Sequence, residues 1–281
     1  MKINFKSSVP HLLAILFFIV ISITYFHPVL KGYRIFQSDI QQFKGMSKEI
    51  QDHRKDYEEE PLWTNSMFGG MPATQISVKY NSNLIFHVHK AINYLLPSPI
   101  NYLFLLLIGF YILLLCLKID PLLAVVGALA FAFSSYFFII IEVGHNTKVL
   151  AIAYMSPVIG GLLLAYRKKA LLGAAIMTFF LTLQIKSNHP QVTYYLFLLL
   201  GLIVLQQLIT SLRNKEIKIF FKKSFLLLIG VVLSLSVNSP NLYGTYEFAP
   251  YSQRGGSELS INSSKENSTE KQMSKKYALQ W

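Results

Sequence analysis

Charge is what this chain has least of. Only 14% of its 281 residues are Asp, Glu, Lys or Arg, against 53% hydrophobic and 14% aromatic. That is too little charge to wet the surface of a soluble globule, and it is the usual balance of a membrane protein. Cysteine is nearly absent. The single Cys116 lies within an apolar run, which excludes a disulfide framework and a cysteine-ligated metal. The short catalytic signatures are missing as well: there is no Walker loop, no G-x-S-x-G elbow, no dinucleotide fingerprint and no H-E-x-x-H zinc motif.

What the chain does have is apolar runs near the ~20 residues that cross a bilayer. Seven are read as spans: Val9–Phe26, Ile100–Leu117, Pro121–Ile141, Val149–Tyr166, Ala170–Ile185, Val192–Leu212 and Phe220–Val237. The first follows Lys2 and Lys6 but shows no small-residue cleavage pattern, so it is kept as an uncleaved span. The last is short unless Lys222 and Lys223 snorkel at its start. The expected fold is therefore all-α and integral to the membrane, with about seven transmembrane helices.

The formal charge of +12 is informative only once it is mapped. With the N-terminus inside, the inner segments hold eleven basic residues against Asp120 and Glu216, a net +9, and the outer segments are left with a net +3. This is the positive-inside pattern. The basic charge then reports topology, and a nucleic-acid partner is not expected.

The same assignment sorts the polar motifs. The inner connections "KID" and "RKK" read as plain turns, whereas the outer ones carry unusual chemistry. The first outer loop, residues 27–99, contains "FQSDIQQF" and "PLWTNSMFGGMP"; the later ones are "EVGHNTK", "KSNHPQ" and "NSPNLYGTYEFAPYSQRGG". Polar irregular backbone at membrane depth is tolerated only where protein or water satisfies it, so an outward-facing site is expected. Within the first loop, Ile40, Phe43, Met46 and Ile50 recur at helical spacing, which predicts one amphipathic helix over Ile40–Tyr57, lying on the membrane or packed on the loop. "FGGMP" predicts a tight turn, and Leu84–Leu96 a second amphipathic helix on which His87 and His89 read as interfacial rather than ligands. The organisation is a multi-span membrane domain over residues 1–250, then residues 251–281 as a polar outer loop or the start of a continuation.

Several residues offer chemistry, each beside a plainer role. Asp39 is either a solvated carboxylate or a general base near the membrane face, and Ser38 or Asp39 reads as a helix N-cap. Glu142, His145 and Lys148 are three apart and share a face if a helix runs through them; Gly144 would break it. They either snorkel at a span end or form an electrostatic site, with Lys148 on a phosphate, His145 shuttling a proton or holding a metal, and Glu142 paired with either. Asn146 lies in the same stretch. His189, beside Pro190 and Gln191, is a cap or a ligand. Lys186, Tyr251 and Arg254 are further outer-face groups for an anion. No metal is assigned; a divalent ion would draw on Asp39, Glu142 and His145, with His189 added for zinc.

Taken in order, "QSDIQQFKGMSKEI", "PLWTNSMFGGMP", "FAFSSYFFIIIEVGHNTKVLAIAYMSP", "NHPQVTYY" and "NSPNLYGTYEFAPYSQRGG" resemble the YfhO-like membrane proteins of Bacteroidetes type, along essentially the whole chain. Such proteins are longer, so the chain is expected to be an N-terminal portion. The resemblance implies a glycosyltransferase of the GT-C superfamily in a bacterial cytoplasmic membrane, its site facing outside or the periplasm. It implies a polyprenyl-phosphate-linked sugar as donor, a cell-envelope glycan or glycolipid as acceptor, and a catalytic acid in the first outer loop, the position of Asp39. The second polar loop of such enzymes often carries paired carboxylates; here it offers Glu142 with His145. His145, Lys148 and Arg254 would face the leaving phosphate, with Asn146, His189 and Gln191 completing the substrate site. A lipid or solute transporter and a non-catalytic membrane scaffold are the competing readings.

Overall fold

A computed structural model describes residues 5–252 except Lys168. The elements run α1 (Phe5–Tyr25), α2 (His27–Leu30), α3 (Ser38–Met46), α4 (Lys48–Tyr57), the two-residue strands β1 (Trp63–Thr64) and β2 (Met71–Pro72), α5 (Leu84–Tyr94), α6 (Ile100–Cys116), α7 (Pro121–Ala132), α8 (Ser135–Val143), α9 (Asn146–Arg167), α10 (Ala170–Lys186), α11 (Pro190–Arg213), α12 (Ile217–Val237) and α13 (Ser239–Phe248). The fold is all-α apart from one antiparallel strand pair, Trp63 opposite Pro72 and Thr64 opposite Met71. The chain divides into two compact units, Met1–Pro240 and Asn241–Trp281, ten residues before the boundary expected from composition. In the second unit the described residues finish α13 and form one 3-10 turn, Ala249–Tyr251.

In the first unit, α1, α9, α11 and α12 are each long and apolar enough to cross a membrane. The pair α7 and α8 adds a fifth only if taken together, because they meet at a 49° bend. That bend corrects the continuous helix expected over Pro121–Ile141. It falls at Phe133 and Ser134, where Ser134 leaves helical backbone and becomes the N-cap of α8. The apolar α6 and α10 have 17 residues each.

Small residues decide which helices meet. α9 is the centre of the bundle and packs along α10 on one side and α6 on the other. A Cβ on Gly161 of α9 would lie 2.5 Å from the Met177 backbone nitrogen of α10, and one on Gly173 of α10 would lie 2.3 Å from that of Ala165. Against α6, the contact is shaped by Pro157. It has no N–H to offer the carbonyl four residues earlier, and that carbonyl, of Ala153, lies 2.3 Å from where Gly109 would carry a Cβ. Backbones this close gain dispersion and polar contact in a solvent that supplies no hydrophobic force between helices. α12 joins α10 through hydroxyls and an amide: Ser234 Oγ donates to the Thr178 carbonyl (3.1 Å), and Asn238 Nδ2 donates to the Thr182 carbonyl (3.1 Å). At the opposite end Lys223 Nζ donates to the carbonyls of Tyr166 (2.6 Å) and Arg167 (3.1 Å), capping the C-terminus of α9 with a cation, as the helix dipole favours.

The segment between α1 and α6 covers the other end. The single helix expected over Ile40–Tyr57 is two helices that hinge at Ser47, buried at the joint. Glu49 ties α4 to the strand pair: its carboxylate accepts from the Thr64 hydroxyl (2.6 Å) and the Ser66 backbone N–H (2.9 Å). Those bonds, the Thr64 hydroxyl foremost, draw its pKa below the usual range. "FGGMP" forms the expected turn, with Gly69 and Gly70 both at positive φ. Ser77 and Glu60 both bind Arg54, at 2.9 and 2.6 Å, which folds the segment after α4 back onto it. The helix α5 then lies on α10 and α6. Its His89 ring packs 6.1 Å from that of Tyr154 on α9, where burial, helped by the charge of Lys186, lowers the imidazole pKa from 6.5 to about 4. Lys186 itself sits over the rings of Tyr80 and Phe86, at 5.4 and 5.3 Å.

Candidate functional site

The site begins with an unfinished helix. α8 ends at Gly144, which takes the left-handed conformation (φ +105°), and its last carbonyls have no partners within the helix. Ile140 recovers two donors from its own chain, the N–H groups of Gly144 (3.3 Å) and His145 (2.9 Å). The carbonyls of Ile141 and Val143 are satisfied from far away in sequence: Gln37 Nε2 donates to the first and Ser38 Oγ to the second (3.3 Å). The first turn of α3 therefore docks on the α8–α9 junction. Gly144 makes the approach possible, since a Cβ there would lie 3.1 Å from Gln37 Cβ and 3.3 Å from Asp39 Cβ.

Docking brings two pairs of groups together, and a third spans α8 and α9. Asp39 Oδ2 lies 2.8 Å from His145 Nδ1, with the two side chains 38% and 48% exposed, so the pair is open to a ligand. Gln37 and Asn146 exchange amide hydrogen bonds at 3.1 and 3.3 Å. Lys148, in the first turn of α9, holds its Nζ 5.3 Å from the centroid of the Tyr136 ring. A cation at a helix N-terminus opposes the dipole. The junction is thus rimmed by Lys148 and the Asp39–His145 pair.

His189 completes the rim. Its Nδ1 accepts from the Val192 backbone N–H (3.4 Å), so it caps α11. Burial pushes its pKa down, and the charges of Lys148 and His145 push the same way, which places the three within electrostatic reach. Nδ1 is thus committed to the helix.

The structure brings Asp39, His145, Asn146, Lys148 and His189 to one end of the bundle, and two other expected residues, Glu142 and Gln191, are paired with none of them. Glu142 is exposed and pairs with neither His145 nor Lys148. The shared helix face expected for these three does not form, because Gly144 puts Glu142 on α8 and Lys148 on α9. Gln191 is exposed and donates to the Tyr195 hydroxyl at 3.5 Å, one turn along its own helix. Arg254 lies outside the described residues. Neither Ser38 nor Asp39 is the N-cap of α3; Gln37 occupies that position, and both fall in the first turn, where Asp39 is favourable to the dipole. Among the described residues no three His, Cys, Asp or Glu side chains are gathered as for a metal, so the set of Asp39, Glu142 and His145 is not assembled.

Gln37 was the residue hardest to foresee. It is the joint of the site, touching Ile141 and Asn146, yet a lone glutamine in a polar stretch has no positional signature. Compared with family models, curated proteins and solved structures, the chain matches none of the three.

Proposed function

We propose that the chain is a YfhO-like membrane glycosyltransferase of GT-C type. It has seven spans and an inner N-terminus, and moves a sugar from a polyprenyl-phosphate donor to a cell-envelope acceptor at the outer face of a bacterial cytoplasmic membrane. The observation that carries this reading is the Asp39–His145 pair, 2.8 Å apart across two loops and open to a ligand. It supports the reading because the first-loop carboxylate, which the resemblance makes catalytic, is held by an imidazole at a junction that also carries Lys148.

In this reading the acceptor hydroxyl attacks the anomeric carbon while Asp39 Oδ1 takes its proton and Oδ2 stays on His145. The bond from the anomeric carbon to the phosphate oxygen breaks, its electrons leave with the lipid phosphate, and the anomeric centre inverts. Lys148 and His145 stabilise the charge that grows on the phosphate. No nucleic acid is involved, and the residues need no metal for the steps assigned to them.

The bent α7–α8 pair favours a second reading, a transporter, since transporters build their sites on broken helices. The break itself carries only Phe133 and Ser134, with no ionisable group, and this weighs against it. The deciding experiment is Asp39→Asn in the full-length protein. Glycan analysis of the envelope should show transfer reduced ~100-fold or more at normal protein level; unchanged glycosylation would remove Asp39 as the base.

A further inference from the structure

On the other side of Gln37 from His145 lies a cleft of about 480 Å³. Its walls are the extended stretch after α2, Ile40, Gln41 and Lys44 of α3, and the turn Pro97–Pro99 that leads into α6. Two of its lining residues, Arg34 and Lys44, are cationic, and none is acidic. Two other cations of the same segment have acidic partners: Arg54 binds Glu60 at 2.6 Å and Lys48 binds Asp52. Arg34 and Lys44 have no hydrogen bond or ion pair with any described residue. Both line one concavity that holds no acid, which makes it a place that favours an anion.

The rest of the lining is suited to a phosphate. Gln41, Ser98 and Tyr33 add neutral donors. The backbone N–H groups of Arg34 and Ile35, along the extended stretch, meet no acceptor among the described residues. Arg and Lys with neutral donors around them bind phosphate oxygens through charge-assisted bonds, and the volume lies in the range of small-molecule clefts. Position narrows the source. The cleft lies where the chain leaves the apolar α1 and where it enters the apolar α6, so it sits at the level of lipid headgroups on the reading that these helices span the bilayer.

We propose that this cleft is a phosphate-binding site, distinct from the Asp39–His145 pair and linked to it through Gln37, which lines the cleft and also holds Asn146. A ligand seated there pulls on the same side chain that docks the first loop on the α8–α9 junction. The phosphate is lipid-borne or free, and the two sources differ in what the site reads besides the charge.

The test uses the full chain in phosphatidylcholine nanodiscs with three probes: inorganic phosphate, phosphatidylglycerol and polyprenyl phosphate, each titrated and read by native mass spectrometry. Arg34→Gln and Lys44→Gln should each weaken binding ~10-fold and together ~100-fold. Arg34→Lys, which keeps the charge and loses the fork, should fall between. Both side chains are exposed, so thermal unfolding should not change and will confirm that the variants fold. A lipid-borne source makes one of the two lipids bind tighter than inorganic phosphate; equal binding of inorganic phosphate assigns a free anion. Wild-type protein that retains none of the probes, or a double variant that retains them all as wild type does, overturns the proposal. The result is independent of catalysis: if Asp39→Asn leaves envelope glycosylation intact, the transferase reading falls and this binding stands or falls by itself.

Discussion

α9 and α11 look alike in composition and live in different solvents. Both are long and equally apolar, yet 67% of the apolar window of α9 is buried in protein and only 11% of that of α11. Total apolarity therefore separates membrane from water but does not separate a helix that faces protein from one that faces lipid, since lipid tails are as apolar as leucine. The difference is in the small residues. α9 meets its neighbours at Gly160 and Gly161, where an added Cβ would strike the backbones of α6 and α10, whereas a Cβ on Gly201 of α11 would meet nothing within 4 Å. The same residue type is a contact in one helix and an accident in the other. The chemistry follows this division: α9 carries Lys148 at its start and anchors Asn146, while the start of α11 contributes a histidine that largely serves its own cap.

The strongest way to break the contrast is to fill it. Gly161→Val should destabilise the bundle by ~3 kcal/mol or more, because the atoms in the way are backbone of α10 and cannot rotate aside. Size-exclusion profiles and thermal unfolding in detergent would measure it, and a well-folded Gly161→Val protein would refute the packing argument. A second test is pH. His89 covers the polar end of α9, and nothing of its kind is seen over α11 among the described residues. Its pKa is about 4 in the fold against 6.5 for the free group, so above pH 6.5 it is neutral in both states. As pH falls from 6.5 to about 4 the unfolded chain takes up a proton that the folded chain refuses, and stability drops by up to ~3 kcal/mol. His89→Phe should flatten that part of the unfolding-versus-pH curve; an unaltered slope would show that the loss comes from elsewhere. The smallest effect is expected on α11, where Gly201→Ala should change stability by no more than ~1 kcal/mol, and in the favourable direction, through helix propensity alone.

How much of this was legible in the sequence depends on which force sets each feature. The positions of the apolar helices follow from hydropathy, and the turn at "FGGMP" and the break at Gly144 follow from glycine. The 49° bend at Phe133–Ser134 does not show, because both halves are apolar and the break involves one serine in extended backbone. Nor does the hinge at Ser47, which interrupts a periodic pattern without disturbing its period. For the candidate site, His145 and Lys148 stand out because charged and polar groups are scarce and theirs lie between two apolar runs, whereas Asp39, well beyond the first run, stands out as the acid of a short polar stretch. Glu142 met the same criterion and stands apart, since one left-handed glycine rotated it out of register with its neighbours. Glu49 was not singled out: an acid that binds the backbone of a later turn resembles any solvated acid until the turn is in place.

The bond between Gln37 and Asn146 joins residues 109 positions apart, and this has a consequence in time. As the chain emerges, Asp39 is made long before the junction that receives it. A nascent protein halted before Gly144 holds its carboxylate with no imidazole beside it and leaves the last carbonyls of α8 bare. The Asp39–His145 pair thus comes into being only after α8 and the turn that follows it have been made.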